Sequence, residues 1–319
     1  MKAKIGISAC LLGEKVRYNG GHKRSRYIQD ILGQHFDLYP LCPEVGIGMG
    51  VPRPPIRLIT TSGNNVEGIE AAHTDDHSIR VTEQLKEYAR NQVENLKDAS
   101  GYIFMQKSPS CGYTRVKLYH MNGNPLEVAQ GIYAAELEKL MPNLPKEEAG
   151  RLNDPWLREN FITRVMAYQD WQQNVEANLT KQALLEFHVR YKYLLMAHHI
   201  PSYQALGKKV SNLKSAPLED IAQDYISVFM SALKHVANRK KHSNVMHHLQ
   251  GYLKKFLNPE EKQEMVEIIH QYRKGVIPLV APLTLLKHHV QLHTDEGDYL
   301  RQQLYLNPHP FELGLRNAI

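Results

Sequence analysis

Cys10, Cys42 and Cys111 are the only thiols in the chain. Each follows a short apolar run that reads as a strand. Ile5-Gly6-Ile7 precedes Cys10 in SACLLG, Phe36 to Leu41 precedes Cys42 in LCPEVGIGMG, and Gly101 to Met105 precedes Cys111 in KSPSCGY. Open α/β sheets bind ligands in the crevice beyond the carboxyl ends of their strands. Cysteines 32 and 69 residues apart in sequence are therefore expected to meet in space. Three converging thiolates suit an iron–sulfur cluster in which one iron lacks a protein thiolate. An open position is what a Lewis-acid site needs to bind a substrate. A Cys₃ zinc site completed by water or by His22, His73, His77 or His120 is the second reading, although CxxC pairs are absent. Three ordinary buried thiols are the third. Spacing does not choose between them. An odd, low cysteine count argues against a disulfide framework and for a reducing compartment.

The neighbours of these cysteines carry further chemistry. Glu44 sits two residues after Cys42, where a carboxylate can ligate a metal or take a proton from water. Gly46, Gly48 and Gly50 permit close backbone approach and exposed N–H groups for an anion. Ser108 and Ser110 flank Pro109 just before Cys111 and can hydrogen-bond a cluster sulfide or a substrate oxygen. Arg17, Lys23, Arg24 and Arg26 form a basic stretch near Cys10, and Arg53 and Arg57 follow the glycines. These cations are candidates for phosphate contacts. A solvated basic face, a turn and a surface acid are the plainer readings of the same residues.

The elements that must position these groups are those of two domains, as 319 residues suggest. Hydrophobic residues are 42% and charged residues 23%, which excludes a disordered chain. No apolar run approaches the ~18 residues of a membrane span. The apolar stretch before Gly13 is short for a signal peptide, so a cytoplasmic location is expected. In residues 1–150 the strands alternate with helical patterns over Ser25 to Gln34 and Ser78 to Leu96, predicting an α/β domain with a mainly parallel sheet. Prolines and a glycine punctuate 141–150 and mark a boundary, after which Asp154-Pro155 reads as a helix cap and first turn. Residues 151–319 predict an all-α domain, with helices at 157–178, 181–199, 218–238, 243–257, 259–274, 282–293 and 299–306, and with Pro201, Pro217, Pro259, Pro278 and Pro282 as separators.

The net charge of +6 is uneven. Lys+Arg and Asp+Glu number 18 and 17 in residues 1–150, giving +1, and 21 and 16 in the remainder, giving +5. In the second half Arg190, Lys192, Lys208, Lys209, Lys240, Lys241, Lys254 and Lys255 are clustered basics with Tyr191, Tyr193 and Tyr252 interleaved. Such material suits a polyanionic partner, phosphate contacts giving salt-dependent affinity and aromatics stacking on loop bases. For any one of these residues, packing or solvation is the simpler reading. Of the pairs His198-His199, His247-His248 and His288-His289, one member each is expected to be exposed, because adjacent residues face different sides of a helix.

ISACLLGEKVRYNGGHKR, CPEVGIGMGVPRPPIRL and KSPSCGY together resemble the TudS-type thiouracil desulfidase domain, over most of residues 1–150 and in the family's order. The resemblance implies a [4Fe–4S] cluster on Cys10, Cys42 and Cys111, a catalytic carboxylate at Glu44, and a catalytic serine at Ser108 or, second, Ser110. FHVRYKYLLMAHH, KHSNVMHHLQGYLKKFL and IPLVAPLTLLKHHV are similar to the YbgA-like domain. The fused arrangement resembles RudS-type proteins, which implies removal of sulfur from 4-thiouridine in tRNA. The products would be uridine and hydrosulfide, the cluster acting as a Lewis acid without redox change. The helical domain would help to bind the RNA, and no obligate protein partner or membrane is implied. Two other functions remain open at this point: desulfidation of free thiouracil or a thionucleotide, and a non-enzymatic RNA-binding protein with a structural metal.

Overall fold

The computed structural model describes residues 2–60, 68–295 and 298–319. It divides into Met1–Asn153 and Asp154–Ile319, each with its own core. In chain order the first unit holds β1 (Lys4–Ser8), a 3₁₀ turn over Ala9–Leu12, and a π-helical turn over Tyr27–Leu32 that runs into α1 (Gly33–His35). Next come β2 (Asp37–Leu41), α2 (Pro43–Gly46), β3 (Ile56–Thr60), β4 (Glu70–His73), α3 (Thr82–Leu96) and β5 (Ala99–Phe104). The unit ends with β6 (Val116–His120), β7 (Pro125–Ala129), α4 (Ile132–Leu140) and β8 (Lys146–Glu148).

The first sheet has the order β2-β1-β5-β8, with every pair parallel. All six residues of β5 are buried, as expected of a parallel strand covered on both faces. The chain steps from β1 to β2 on one side and returns to β5 on the other. The strand order therefore reverses between β1 and β5, the place where such sheets open a ligand crevice.

Four features differ from the sequence reading. A second sheet, β4-β3-β6-β7, with two antiparallel pairs, is added to the parallel sheet that the alternation of strands and helices predicts. Its signal was Asn122-Gly123 between two short alternating runs, a hairpin turn with Gly123 at φ +88°. The punctuated boundary at 141–150 contains β8, wholly buried although it reads Lys-Glu-Glu. Its charges are paired: the Lys146 ammonium meets Glu138 at 2.9 Å, and Glu147 meets Arg151 at 2.7 Å.

The second unit consists of α5 (Pro155–Asn174), α6 (Lys181–His198), α7 (Ile200–Val210), α8 (Leu218–Leu233), α9 (Arg239–Leu253), α10 (Pro259–Lys274) and α11 (Val280–His293), with short 3₁₀ turns. Asp154 caps α5 as expected, its carboxylate accepting from the Trp156 and Leu157 amides at 2.9 and 3.1 Å. The helix α7 was hidden because Pro201 read as a separator. It lies in the first turn, where a proline has no hydrogen bond to lose. Conversely, 299–306 forms turns rather than a helix. The Leu304 amide donates to the Arg190 carbonyl at 3.0 Å, a bond that a helix would have kept within itself, and the Gln303 side chain adds a bond to the Val189 carbonyl. Among the described residues, no helix is long and apolar enough to cross a membrane.

Candidate active site

The carboxyl ends of β1, β2 and β5 open into one cavity of about 510 Å³ that all three cysteines line. Cys10 lies in the 3₁₀ turn directly after β1, and Cys42 is the residue between β2 and α2. Cys111 comes from the longer loop after β5. The loop is fastened at both ends. The Met105 amide donates to Ser8 Oγ at 2.9 Å, joining the ends of β1 and β5. Glu148 of β8 accepts from the Tyr113 and Thr114 amides at 2.9 and 3.1 Å. Two glycines let the loop close on itself. A Cβ on Gly112 would stand 2.8 Å from the Ser108 carbonyl oxygen, and one on Gly131 would stand 2.6 Å from that of Ser110.

Within this frame Glu44 is held from both sides. Its Oε2 accepts from Arg53 Nε at 2.9 Å and from Arg53 Nη2. Its Oε1 accepts from Ser110 Oγ at 2.6 Å and from Ser108 Oγ at 3.4 Å, and the two serine hydroxyls are 3.0 Å apart. Ser108 Oγ also accepts from the Cys111 amide at 3.2 Å. Ser110 is fully buried, its Oγ 3.7 Å from Cys111 Sγ, whereas Ser108 keeps some exposure at the cavity wall.

The thiols are free and share a poorly solvated space. Burial pushes Cys10 up to about 11, with Cys42 adding to the effect. Burial likewise raises Cys42, and it raises Cys111 strongly, again with a contribution from Cys42. Three thiolates cannot gather here without a compensating cation, and a coordinating metal deprotonates a thiol outright. The donor set therefore fits a metal centre. Such a set suits a cluster, whose thiolates sit on separate irons, and also a single zinc ion. Among the described residues, no histidine lines the cavity. His73 and His120 belong to β4 and β6 of the other sheet, and His22 is exposed, accepting from the Arg24 amide at 3.2 Å.

Other candidates sort differently. Arg53 is 8% exposed and committed to Glu44 and to the Gly50 carbonyl at 2.9 Å, so it is not a phosphate contact. Gly46 and Gly48 donate their amides to Cys42 and Val45 within the turn, which removes them as an anion cradle. Arg17 and Lys23 line the cavity. Arg24 is exposed but bridges Asp30 at 2.9 Å, and Arg26 is exposed.

In the helical unit Arg190 pairs with Asp170 at 2.9 Å, Lys209 pairs with Asp224, and the Lys241 ammonium donates to the His198 carbonyl at 2.6 Å. These three charges are spent within the fold. Tyr191 packs between Phe187 and Phe229, and Tyr193 is also buried, so neither can stack on a base. Lys208, Lys240, Lys254 and Lys255 are exposed. Lys192, Tyr252 and Lys255 border a groove of about 470 Å³ together with Phe256 and Tyr299, two aromatics the sequence reading did not single out for this role. Of the histidine pairs, His288 is exposed and His289 buried as expected, whereas His247 and His248 are both exposed.

The family model described as 2-thiouracil desulfurase matches residues 5–149. A second model, a protein family of unknown function designated DUF1722, matches residues 192–310. The uncharacterized protein YbgA of Escherichia coli (strain K12) is 34% identical over 161 residues, covering 50% of this chain and 94% of that protein. The uncharacterized protein YbbK of Bacillus subtilis (strain 168) is 34% identical over 110 residues, covering 34% of this chain and 72% of that protein. A solved structure of the [4Fe-4S]-dependent thiouracil desulfidase TudS is 27% identical, with a TM-score of 0.38, over 48% of this chain and 94% of that one. The chain thus belongs to the 2-thiouracil desulfurase family through its first unit, joined in one polypeptide to a YbgA-like domain.

Proposed function

We propose that the first unit is a desulfidase that converts the 4-thiouridine of a tRNA to uridine, and that the helical unit binds the RNA. The observation that carries this reading is the convergence of three thiols and the Glu44 network on one cavity at the switch point of the sheet. A [4Fe–4S] cluster held by Cys10, Cys42 and Cys111 would supply an open iron, a Lewis acid for the thiocarbonyl sulfur. Glu44 takes a proton from the attacking water. A C–O bond forms at the carbon that bears sulfur, the C–S bond breaks, and hydrosulfide leaves with a proton. No electron is gained or lost. Ser108, the more accessible hydroxyl, contacts the base. Ser110 and Arg53 are positioning residues that fix the two carboxylate oxygens. Arg17 and Lys23 on the cavity wall meet the phosphates beside the target nucleotide.

A cavity of about 510 Å³ takes a nucleoside rather than a folded RNA, so the base must leave its stack. In the helical unit the groove bordered by Lys192, Lys255, Tyr252 and Phe256 combines cations with aromatic faces, as single-stranded bases require. The same cavity size favours a second reading, action on free thiouracil or a thionucleotide.

Anaerobic turnover on thiolated tRNA, on 4-thiouridine and on free thiouracil tests both, followed as loss of thiocarbonyl absorbance. We expect kcat/KM on the RNA to exceed that on the free compounds by about 100-fold or more. Equal turnover would overturn the RNA assignment and leave the desulfidase. Turnover on none of the three by brown, iron-loaded protein would overturn the desulfidase itself. Colourless, zinc-loaded protein would point instead to a non-enzymatic RNA-binding protein.

A further inference from the structure

The helical unit contains a second convergence of metal-ligand side chains, far from the cysteines in sequence. His289 and His293 are four residues apart on α11 and so share one face of that helix. Glu261 comes from the first turn of α10. One ligand atom from each of the three lies within 4.8 Å of the others.

The polar accounting sets this group apart. His289 is 4% exposed, yet neither of its ring nitrogens has a hydrogen-bond partner, and Nε2 of His293 is buried without one as well. A buried polar group left unpaired destabilises the fold. His188 bonds the Tyr225 hydroxyl at 3.1 Å and His198 the His235 carbonyl at 2.7 Å, and His242, whose Nε2 is also unpartnered, still bonds the Tyr305 hydroxyl through Nδ1 at 3.0 Å. One orphaned nitrogen from each imidazole, beside a carboxylate, is an arrangement a cation would complete.

The neighbours hold the ligands in place. Glu261 Oε2 accepts from the Asn258 amide at 2.8 Å in the capping box of α10, which orients the carboxylate. The His289 and His293 rings lie nearly parallel, 6.0 Å apart, and the Phe256 ring lies nearly parallel to His293 at 5.8 Å. Zinc–nitrogen bonds of ~2.0–2.1 Å would put tetrahedral ligand atoms roughly 3.3 Å apart, so small side-chain rotations close the shell.

We propose that Glu261, His289 and His293 bind a divalent transition-metal ion, zinc in the first place, with the fourth position left to water or an anionic ligand. Two imidazoles and a carboxylate are a set that zinc accepts with one position open. The ion would tie the start of α10 to the end of α11. The site does not depend on the desulfidase reading, and it shares no residue with the cysteine cavity.

The test uses the full-length protein with cobalt(II) and zinc(II) as probes. Cobalt at nitrogen and oxygen ligands gives weak visible bands without the intense near-ultraviolet thiolate bands that the cysteines would add, so the two sites are read separately. We expect one equivalent of thiolate-free cobalt, displaced by zinc. His293→Gln and Glu261→Gln should each weaken it at least tenfold, and His289→Phe should abolish it. Trp156 and Trp171 are the only tryptophans and both lie in the helical unit, so their fluorescence follows its unfolding alone. Zinc at a hundred times its Kd should raise that melting temperature by roughly 5–10 °C in the wild type and not in His289→Phe. Metal-free His289→Phe should melt no lower than metal-free wild type, since the imidazole it replaces is unpaired. Absence of thiolate-free cobalt binding in the wild type would overturn the proposal, as would equal binding in the wild type and His293→Gln. His293 is only half-buried, so its variant remains informative if His289→Phe does not fold.

Discussion

Ser110 Oγ stands 2.6 Å from Glu44 Oε1, although 66 residues separate them in the chain. The serine is fully buried and reaches Cys111 Sγ with the same oxygen, so one hydroxyl links the carboxylate to a thiol. Ser110→Ala removes a bond to a charged acceptor, worth about 1.5–3 kcal/mol. We expect kcat to fall 10- to 100-fold and the melting temperature to drop by a few degrees. Ser108→Ala, at the cavity wall, should lower kcat with little change in melting. Equal stability losses in the two variants would contradict this division of roles. Glu44→Gln should lower kcat by about 10²–10⁴ while iron content is retained.

Gly131 has no room for a side chain, because an added methyl would meet the Ser110 carbonyl carbon at 2.7 Å. Gly131→Ala should therefore push the Ser108–Cys111 loop away from Glu44. Overpacking of this kind costs about 1–3 kcal/mol. Turnover should fall more than stability does, and a crystal structure of the variant should show Ser110 displaced. Full activity in Gly131→Ala would mean that the loop position is not critical.

Each of the three cysteines should be needed for the metal centre. Cys42→Ala protein, purified anaerobically, should lack the broad visible absorbance and most of its iron and sulfide. Activity should be lost with them. Retained turnover in this variant would exclude chemistry on a three-thiolate cluster.

RNA affinity should fall steeply with salt, as expected when cations displace condensed counterions. Tyr252 is 48% exposed on the helical unit's groove, and Tyr252→Ala should weaken RNA binding by about 1–3 kcal/mol if a base stacks there. Lys255→Ala should flatten the salt dependence. Tyr191→Ala should instead destabilise the unit, because Tyr191 is core. Filter binding across a salt series, with thermal melts of each variant, checks all three.

The helical unit should lose stability in acid below about pH 6.5. Burial lowers His188 and His198 each to about 4 from the ordinary 6.5. Below 6.5 the unfolded chain binds protons that the folded chain refuses, so stability drains away as the pH falls toward 4. Each shift corresponds to about 3 kcal/mol when complete. Glu159 works in the same direction at lower pH. Burial opposes its ionisation, but the His309 imidazole 3.6 Å away and the charge of Arg316 hold its carboxyl far below the usual range. Its contribution is fully present above about 4.5 and fades as the pH falls below that toward its much lower folded value. Tryptophan fluorescence melts between pH 8 and 4 should show this slope, and His188→Gln should flatten its upper part. A flat profile in that range would show that the two histidines are not held neutral by the fold.

Local pattern determined much of this protein. The apolar runs before Cys10, Cys42 and Cys111 fixed three strands, and strands alternating with helical spacing fixed a parallel sheet whose carboxyl ends carry the thiols. The caps at Asp154 and Asn258 and the apolar periodicities set most of the helical unit. These signals act over a few residues, where hydrogen bonding and side-chain period are decided. Whether a charge is free or paired, and whether an imidazole has a partner, depends on residues distant in the chain. Arg53 read as a surface cation because nothing nearby in sequence shows Glu44 turned toward it. Tyr191 was open to both packing and base stacking, because its neighbours in the core come from α6 and α8 together. Glu148 and Glu261 gave no sign at all: one pins the loop after Cys111 from a buried strand, and the other meets two histidines from a different helix. Only folding brings those partners within reach, because burial and pairing are settled by tertiary packing.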